Sequence, residues 1–400
     1  MSGENGRPKR VVIVGGGTAG ITVAARLCRK LPARSVMVID PSRKHYYQPL
    51  WTLVGAGVMP KQVTERQEAD FMPPDSRWLQ DGVETFLPEE NAVVTRSGQR
   101  VDYDFLVVAA GIQCDWDKVT GLVENLGQHG VCSNYSYHSV DYTWTCIRQF
   151  QGGRAIFTMP ATAVKCGGAP QKIMYLADDA FRRQRVRDKA EIVFTSGISR
   201  LFAVEKYRNT LEKVVERKGL ITKFMHDLVE IRTEPKKEAV FKNLNDGSLV
   251  TLDFEMIHVT PPMSAPDFIK RSPLANETGW VDADRQTLQH PRYPNVFALG
   301  DSSGLPTSKT GAAIRKQAPV VERNLLAAME GRPLKAIYDG YTSCPLVTGY
   351  GKMVLAEFDY EHRPRETFPF DQSKERLSMY LLKKYGLPAM YWHGMLKGKM

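Results

Sequence analysis

The sequence predicts an α/β protein with two Rossmann-like domains and a C-terminal amphipathic region that associates with a membrane. Three observations lead to this prediction: a glycine fingerprint between a short apolar run and an amphipathic stretch, a degenerate repeat of that pattern in mid-chain, and a basic, aromatic-rich C-terminus. At 400 residues, with 42% hydrophobic and 24% charged residues, the chain is long enough for two or three ordinary cores.

The glycine fingerprint comes first along the chain. Residues 10–14 form an apolar run suited to a buried parallel strand, and Gly15, Gly17 and Gly20 follow at the spacing of a dinucleotide-binding turn. Gly15 permits the tight turn, Gly17 lets backbone amides approach a pyrophosphate, and Gly20 lets the next helix pack closely on the strand. A strand, a turn and a helix N-terminus in this order predict a site for the phosphates of a dinucleotide.

A second predicted strand, residues 35–39, ends in Asp40, 20 residues after Gly20. A carboxylate at this distance from the glycines accepts the hydroxyl hydrogens of an adenosine ribose. The sequence therefore predicts that Asp40 binds the adenosine end of the cofactor.

Two later segments favour FAD as the dinucleotide. Residues 103–111 form a buried strand that ends in Ala-Ala-Gly at Gly111, and residues 293–301 form another that ends in Gly-Asp at Asp301. Both endings resemble the auxiliary motifs of the glutathione-reductase-like flavoproteins. The resemblance implies that Asp301 holds the ribityl chain of FAD.

The middle of the chain repeats the first pattern without its glycines. A predicted strand at residues 154–158 runs into residues 159–170, which contain prolines, bulkier side chains and Cys166 in place of a second fingerprint. Such residues keep backbone amides away from a pyrophosphate, which argues against a tight NAD(P)H site. The electrons are therefore expected to come from a donor other than NAD(P)H.

Five longer segments resemble the sulfide:quinone oxidoreductases, in the branch that includes the mitochondrial enzymes, and the likeness covers nearly the whole chain. These segments are residues 45–57, 164–176, 258–263, 338–350 and 367–376. The resemblance implies that Cys166 and Cys344 form a disulfide or trisulfide, which hydrosulfide attacks to leave a persulfide and a thiolate. It assigns Cys166 as the flavin-facing thiolate that adds to the ring, and Cys344 as the carrier of sulfane sulfur. The sulfur then leaves to a thiol, sulfite or a polysulfide, and FAD passes the electrons to ubiquinone or menaquinone.

Four polar residues near these motifs are further candidates. Lys172 follows Cys166 on a predicted helix, and Lys309 follows the Gly-Asp motif. Either ammonium group would stabilise a thiolate or the reduced ring, although a solvated lysine is the ordinary alternative. Glu124 matches a loop glutamate that the family places near the sulfide site as a proton relay. His258, in an apolar strand, is more simply a core residue than a base.

The other four of the six cysteines carry weaker signals. Cys28, Cys114 and Cys146 have no motif around them and are interpreted as inert core residues. Cys132 is left open, because some bacterial members of the family have a third functional cysteine near this position. We expect no metal site, since neither Cys-x-x-Cys nor clustered Cys/His spacing occurs.

These observations divide the chain into three parts. Residues 8–113 and 270–330 are expected to form a discontinuous FAD-binding domain, and residues 114–269 a second Rossmann-like domain that carries Cys166. Within the second domain we predict strands at 154–158 and 190–195, helices at 169–184 and 206–218, and a hairpin around 233–237. Residues 331–400 are expected to carry Cys344, the quinone site and helices that lie on a membrane surface.

The C-terminal residues 373–400 alternate apolar or aromatic side chains with lysines and arginine. We predict two short amphipathic segments, separated at residues 386–388, that lie on an anionic membrane, which the net charge of +10 favours; a core-packing or dimer-forming hairpin is the alternative. Neither segment is long enough to span a bilayer. The apolar and basic residues are Leu377, Met379, Tyr380, Leu381, Leu382, Leu387, Met390, Tyr391, Trp392, Met395 and Leu396, with Lys374, Arg376, Lys383, Lys384, Lys397 and Lys399. Phe358, Phe368 and Phe370 are candidates to flank the quinone.

Two other functions remain as alternatives. One is a type II NADH:quinone oxidoreductase relative, and the other is a flavoprotein that has lost catalysis and serves at the membrane as a scaffold or sensor. No nucleic-acid partner is expected, because no binding motif accompanies the basic charge. Residues 1–10 lack a secretion core and are too short for a transit peptide, which suits a peripheral protein of the bacterial cytoplasmic membrane or of the mitochondrial inner membrane. The sequence leaves open whether the chain forms a homo-oligomer.

Overall fold

The computed structural model describes residues 8–400. Residues 1–7, which include most of the N-terminal segment interpreted above, lie outside the described residues. In chain order the strands are β1 (Val11–Val14), β2 (Val36–Ile39), β3 (Lys44–Tyr46), β4 (Glu65–Gln67), β5 (Arg77–Leu79), β6 (Val83–Leu87), β7 (Ala92–Thr95), β8 (Arg100–Asp102), β9 (Phe105–Val108), β10 (Gln113–Cys114), β11 (Val131–Cys132), β12 (Gly153–Met159), β13 (Ala190–Ser196), β14 (Ile221–Phe224), β15 (His226–Arg232), β16 (Glu238–Asn243), β17 (Leu249–Asp253), β18 (Met256–His258), β19 (Met263–Ser264), β20 (Val296–Ala298), β21 (Thr342–Gly349) and β22 (Lys352–Phe358). The α-helices are α1 (Thr18–Leu27), α2 (Trp51–Gly55), α3 (Leu122–Asn125), α4 (Val140–Gln149), α5 (Ala169–Arg183), α6 (Glu205–Lys218), α7 (Asp267–Lys270), α8 (Gly311–Met329), α9 (Leu377–Leu381) and α10 (Leu387–Met390).

The first large sheet is parallel, with the strand order β20-β9-β1-β2-β5. Its central strand β1 is buried along its whole length, as the apolar run at residues 10–14 predicted. The helices α1 and α8 pack against each other beside this sheet. All five strands come from residues 8–113 and 270–330, in line with a discontinuous first domain, whose boundaries remain a prediction.

The second large sheet is also parallel, with the order β11-β18-β12-β13-β14. The two strands predicted for this part of the chain are β12 and β13 of the sheet. The two predicted helices are α5 and α6. The predicted hairpin is formed by β15 and β16, which pair on either side of residues 233–237. Two parallel sheets, each flanked by helices, confirm the α/β fold with two Rossmann-like units.

The strands β21 and β22 form a separate antiparallel hairpin, which packs against α5. Cys344 pairs with Ala356 across the hairpin, while Ser343 pairs with Glu357. Because successive side chains of a strand point to opposite sides, Cys344 and Ser343 lie on opposite faces of the hairpin. The face with Cys344 is the one turned towards α5.

The C-terminus differs from the prediction in one respect. Residues 377–395 are helical without a break, because wide π turns at Leu382–Gly386 and Tyr391–Met395 join α9 and α10. Pro388 follows the π turn at Leu382–Gly386 inside this continuous helix; such a wide turn accommodates a residue without a backbone N–H, so Pro388 does not separate two segments as expected. In the described part of the chain, no helix is long and apolar enough to cross a membrane.

Candidate active site

The glycine loop after β1 has the predicted geometry. Gly15 has a φ of +105°, and a Cβ atom at this position would overlap the backbone of Ala109. A Cβ on Gly20 would overlap the carbonyl oxygen of Gly15, so this turn requires glycine at both positions. Gly17 precedes α1, and among the described residues no side chain caps that helix or lies where a Gly17 side chain would project. The first amides of α1 are thus open to an anionic ligand.

Asp40 lies at the end of β2, beside this loop. Its Oδ2 atom accepts a hydrogen bond from the Gly16 amide at 2.6 Å, and its Oδ1 atom accepts one from the Ser42 amide at 2.7 Å. These bonds fix the carboxylate next to the glycines, where it can also accept ribose hydroxyls. The structure therefore brings together the two parts of the fingerprint.

A cavity of about 600 Å³ extends from the glycine loop to the cysteine pair. This volume lies within the range of ~300–1,000 Å³ that is usual for ligand and cofactor sites. Of the residues singled out before the C-terminal segment, together with the three quinone candidates, those that line the cavity are Gly15, Gly17, Asp40, Gly111, Cys166, Lys172, His258, Asp301, Lys309 and Phe368. Gly20 lies behind the wall, as its packing role requires.

Cys166 and Cys344 meet although they are 178 residues apart, with their Sγ atoms separated by 3.2 Å. Cys166 precedes α5 in a left-handed backbone conformation with a φ of +54°, and its amide donates to the carbonyl oxygen of Lys309 at 2.9 Å. Cys344 is fully buried in β21. In the described structure Cys166 lines the cavity and Cys344 does not, so the two sulfurs are not equivalent.

The electrostatics of the pair are asymmetric. The hydrogen bond from Cys344 and the nearby charge of Lys172 hold the pKa of Cys166 well below its usual value, against the effect of burial. The same hydrogen bond, together with burial, raises the pKa of Cys344 well above its usual value. The Lys172 ammonium lies 3.3 Å from Cys166 Sγ and is itself buried. The reduced pair is therefore a thiolate at Cys166 and a thiol at Cys344.

Lys309 and Asp301 also line the cavity, and the Lys309 backbone adjoins the loop that carries Cys166. The Lys309 ammonium donates to the carbonyl oxygens of Asp301 at 2.7 Å and Ser303 at 3.0 Å, and lies 3.6 Å from the ring centre of Trp280. Burial lowers the pKa of Lys309 to about 8, and burial raises that of Asp301. Lys309 is thus a fixed cavity residue two positions before α8, rather than part of that helix.

Three candidate residues occupy other places than expected. Glu124 is solvent-exposed on α3, which packs against β15 on the outer side of the second sheet, so the structure does not bring it to the thiols. Phe358 is a core residue in edge contact with Phe202, at 5.7 Å between ring centres. Phe370 stacks on Phe368 at 5.3 Å and, unlike Phe368, is not among the described residues that line the cavity.

The remaining cysteines and His258 lie in the core or away from the pair. Cys132 is fully buried on β11 beside Cys146, donates to the carbonyl oxygen of Ile257 at 3.4 Å, and does not reach Cys166. His258 is buried, and its Nε2 atom accepts the Asn134 amide at 3.0 Å. Burial lowers the pKa of His258 to about 3, so the ring is neutral. Among residues 8–400 no group of three or more His, Cys, Asp or Glu could hold a metal ion.

Six residues of the cavity wall were assigned only to the membrane surface from the sequence: Leu382, Lys383, Leu387, Met390, Tyr391 and Met395. Lys383 is buried, lines the cavity and donates to the carbonyl oxygen of Pro49 at 2.8 Å. Burial and the nearby Lys172 lower the pKa of Lys383 to about 7. Tyr391 is also buried in the cavity wall and bonds to Thr18. Their inward orientation depends on the docking of the whole C-terminal helix, so no local sequence signal reveals it.

The described residues fit FAD. The open amides of α1 suit the pyrophosphate, Asp40 suits the adenosine ribose, and Asp301 suits the ribityl chain. The remainder of the cavity reaches from Gly111 to Cys166, which leaves room for the isoalloxazine ring next to the thiolate. The chemistry of the donor groups thus agrees with the dinucleotide that the sequence predicts.

The chain is similar to several known proteins. Residues 9–139 match the family model described as pyridine nucleotide-disulphide oxidoreductase. The mitochondrial sulfide:quinone oxidoreductase of Mus musculus is 47% identical over 97% of this chain and 86% of its own length. The corresponding protein of Dictyostelium discoideum is 50% identical over 98% of this chain and 86% of its length. The crystal structure of the sulfide:quinone oxidoreductase from Aquifex aeolicus superposes with a TM-score of 0.82 at 19% identity, covering 98% of this chain and 92% of that one, and shows the shared fold.

Proposed function

Since this chain belongs to the sulfide:quinone oxidoreductase family, we propose that it oxidises hydrogen sulfide at the Cys166–Cys344 pair and passes two electrons through FAD to a membrane quinone. The observation that carries this proposal is the contact of the two sulfurs at 3.2 Å in the wall of an FAD-sized cavity, with Lys172 at 3.3 Å. An inactive flavoprotein would have no need to keep a buried cation beside two adjoining thiols.

The chain provides each part of the FAD site. Gly15 and Gly17 with the N-terminus of α1 hold the pyrophosphate, Asp40 the adenosine ribose, and Asp301 the ribityl chain. When bound, FAD takes two electrons from the thiol pair and gives them to the quinone. Lys309, fixed by two carbonyl oxygens, places a positive charge in the same cavity, where negative charge develops.

The first chemical step is the attack of hydrosulfide on the bridge between Cys166 and Cys344. In the disulfide form of the oxidised enzyme Cys166 and Cys344 are bonded directly, and hydrosulfide attacks Cys344 Sγ. A new S–S bond forms on Cys344 as a persulfide, the bond between the cysteines breaks, and Cys166 leaves as a thiolate. The incoming sulfide is oxidised to sulfane sulfur, and the bridge is reduced by two electrons. Lys172 stabilises the departing Cys166 thiolate, because its ammonium lies within contact distance.

The resting bridge is a disulfide or a trisulfide. An S–S bond measures ~2.04 Å, so a disulfide requires the two sulfurs to approach by about 1 Å from the reduced positions. A trisulfide fills the same gap with one further sulfur atom. In either form, the left-handed loop at Cys166 keeps its sulfur on the cavity side.

The sulfane sulfur then leaves Cys344 to a second nucleophile. A thiol, sulfite or a polysulfide attacks the outer sulfur, forms a new bond to it and returns Cys344 to the thiol state. The raised pKa of Cys344 supports this role as carrier, because its sulfur is a thiol and not a competing thiolate once the persulfide has gone. The low pKa of Cys166 supports its role as electron donor.

We place the quinone against the other face of the β21–β22 hairpin. Pro345 and Leu355 form an apolar pair on that face, and Phe368 lies in the same part of the wall. Glu357 fixes the segment that carries Phe368: it accepts the Thr367 amide at 2.8 Å, and other neighbours bind its second oxygen. The C-terminal helix contributes a second apolar set, Leu382, Leu387 and Met390.

We propose that the same helix attaches the protein to the membrane surface. Leu377, Leu381 and Tyr385 are spaced four residues apart and are 60%, 43% and 61% exposed. Such a row on one face of a helix, flanked by lysines, suits the interface of an anionic bilayer. The net charge of +10 favours the same attachment. The membrane is one that holds quinone, either the mitochondrial inner membrane or the bacterial cytoplasmic membrane.

The decisive experiment is an anaerobic sulfide titration of the purified flavoprotein in detergent, followed by addition of quinone. We expect sulfide to bleach the flavin absorbance and quinone to restore it. The substitutions Cys166→Ser and Cys344→Ser should each abolish bleaching, while Cys28→Ser, at the C-terminal end of α1, should not. Rapid bleaching by NADH in place of sulfide would favour the NADH:quinone oxidoreductase alternative, and a flavin that ignores both would favour the inactive one.

A further inference from the structure

The last ten residues, 391–400, lie across α1 and the segment at residues 45–71. We call them the C-terminal clasp. Arg26 of α1 donates to the carbonyl oxygen of Met400 at 2.8 Å, and Arg29 donates to that of Gly398 at 2.8 Å. A Cβ on Gly398 would lie 2.9 Å from the backbone of Ala25, so the chain touches α1 closely at this point. The clasp is thus bound to the helix whose N-terminus faces the pyrophosphate site.

The hydroxyl group of Tyr391 is the centre of a buried hydrogen-bond chain. It bonds to Thr18 Oγ1 at 2.8 Å, at the first residue of α1, and also to Nε2 of His45. The other ring nitrogen of His45 bonds to Glu68 Oε2 at 3.0 Å. Tyr391, His45 and Glu68 are 4%, 3% and 2% exposed, so water does not compete for these bonds.

Aromatic contacts hold the clasp in the same place. The ring of Tyr391 lies 4.5 Å from that of Tyr47, and the ring of Trp392 lies 5.0 Å from that of Phe71. The Lys397 ammonium extends the contact by donating to the carbonyl oxygen of Asp70 at 3.0 Å. Ring pairs at these distances stabilise a contact beyond the area that they bury.

The hydrogen-bond chain reaches the cofactor cavity at the end formed by Thr18 and Tyr391. Thr18, Tyr47 and Tyr391 all line the cavity. At the far end, Glu68 Oε1 is buried and has no hydrogen-bond partner within residues 8–400. It faces the glycine loop, since a Cβ on Gly16 would lie 2.9 Å from it. This oxygen lies beside the glycine loop without being part of the cavity lining, so the chain contacts the cavity through Tyr391 and Thr18.

We propose that the C-terminal clasp retains FAD, with Tyr391 as the positioning residue that His45 and Glu68 orient against the first turn of α1. The clasp closes the nucleotide end of the cavity, and FAD in turn favours the docked clasp. Such coupling is reciprocal, because two events that stabilise the same arrangement must each promote the other. The inference rests on FAD binding but not on sulfide oxidation.

The first test measures the affinity for FAD directly. FAD is removed from the wild type, Tyr391→Phe and Tyr360→Phe, and each apoprotein is titrated with FAD while flavin fluorescence is followed. Tyr360→Phe is the matched control, because it also removes one hydroxyl hydrogen bond, to Arg285, but lies outside the cavity wall. We expect the dissociation constant to rise about tenfold in Tyr391→Phe alone, as for loss of one partner in a buried hydrogen bond.

The second test uses the wild type only and remains informative if the variant does not fold. The Lys397 side chain is exposed, but its carbonyl oxygen accepts a hydrogen bond from Arg29, so trypsin cleavage after Lys397 requires release of the clasp. We expect saturating FAD to slow this cleavage by about tenfold, measured by mass spectrometry of the C-terminus. Equal dissociation constants for Tyr391→Phe and wild type would overturn the proposal, and so would cleavage that FAD leaves unchanged. A wild type that binds no FAD would instead contradict the proposed function.

Discussion

The Lys172 ammonium lies 3.3 Å from the Cys166 sulfur, and both residues are fixed by the start of α5. Lys172 belongs to the first turns of that helix, and Cys166 ends the loop before it. A cation at this distance in a buried site strongly favours the thiolate over the thiol. Together with the hydrogen bond from Cys344, which is the larger effect, this contact lowers the pKa of Cys166 and places the negative charge of the reduced pair there.

Replacing Lys172 by methionine should therefore raise the pKa of Cys166. We expect alkylation of the reduced enzyme by iodoacetamide at pH 7 to slow about tenfold or more at Cys166, since less of it is thiolate. Peptide mass spectrometry measures the rate at this site. Lys213→Met, on the exposed side of α6, provides the control and should leave the rate unchanged. An unaltered rate in Lys172→Met would show that the ammonium does not stabilise the thiolate.

Lys383→Met should give a weaker effect with a different pH dependence. The pKa of Lys383 is about 7, so in the wild type its positive charge acts on Cys166 below that pH and is lost above it. We expect alkylation of Cys166 to be slower in the variant at pH 6 and equal to the wild type at pH 8.5. A difference that persists at the higher pH would contradict the low pKa of Lys383.

His258 should make the protein sensitive to acid. Its pKa is near 3 in the folded protein and ~6.5 when unfolded, so the unfolded state binds the extra proton between these values. Stability from this residue is thus complete above pH 6.5 and is lost as the pH falls towards 3. Between pH 7 and pH 4 the loss should reach about 3 kcal/mol in free energy of unfolding.

Urea unfolding at the two pH values measures this loss, with His258→Gln as the comparison. The glutamine amide can still accept the Asn134 amide hydrogen, as His258 does, but it does not titrate. The variant should show a smaller acid loss by about the same amount. Equal losses in both proteins would mean that His258 is protonated in the folded state.

Phe368→Ala should weaken the quinone half of the reaction alone. The side chain lines the cavity beside the outer face of the hairpin, whereas Cys344, the proposed carrier of sulfane sulfur, lies on the inner face. We expect KM for quinone to rise about tenfold, because burial of an aromatic ring contributes ~1.5–3 kcal/mol. Anaerobic bleaching by sulfide serves as the internal control and should keep its wild-type rate. A change confined to the sulfide step would place the quinone elsewhere.

The exposed row on the C-terminal helix should determine membrane binding. The double substitution Leu377→Glu with Leu381→Glu should lower cosedimentation with vesicles that contain anionic lipid by about tenfold or more. Leu249→Glu, on β17, changes a leucine that is 66% exposed and should have no effect. If both proteins bind vesicles equally, attachment does not use this row.

Much of the FAD site could be predicted from the sequence because its residues follow from backbone geometry. Only glycine fits a turn in which a Cβ at Gly15 or Gly20 would overlap the main chain. The spacing of these glycines can therefore be recognised in the sequence. The long segments around Cys166 and Cys344 likewise led to the thiol pair. Glu124 shows the opposite case. It matches a loop glutamate that the family places near the sulfide site, but its side chain does not lie near the sulfurs.

The C-terminus could be interpreted only in part for a physical reason. Its apolar residues belong to two faces of one helix, and both faces are equally hydrophobic in sequence. Leu381 is exposed, whereas Tyr391 is buried against α1. From the sequence, Lys383 resembles the other lysines expected at the membrane interface. Its side chain points into the cavity only because the helix docks onto residues 48–50. Hydrophobic periodicity does not distinguish a lipid from a protein neighbour.

In the proposed arrangement, the β21–β22 hairpin keeps the two substrates apart. Quinones are electrophiles that couple readily to reactive sulfur nucleophiles, and a persulfide is such a nucleophile. Cys344 lies on one face of the hairpin, and Pro345 with Leu355, against which we place the quinone, lies on the other. The hairpin would thus prevent a covalent adduct between quinone and persulfide, while the electrons pass through FAD.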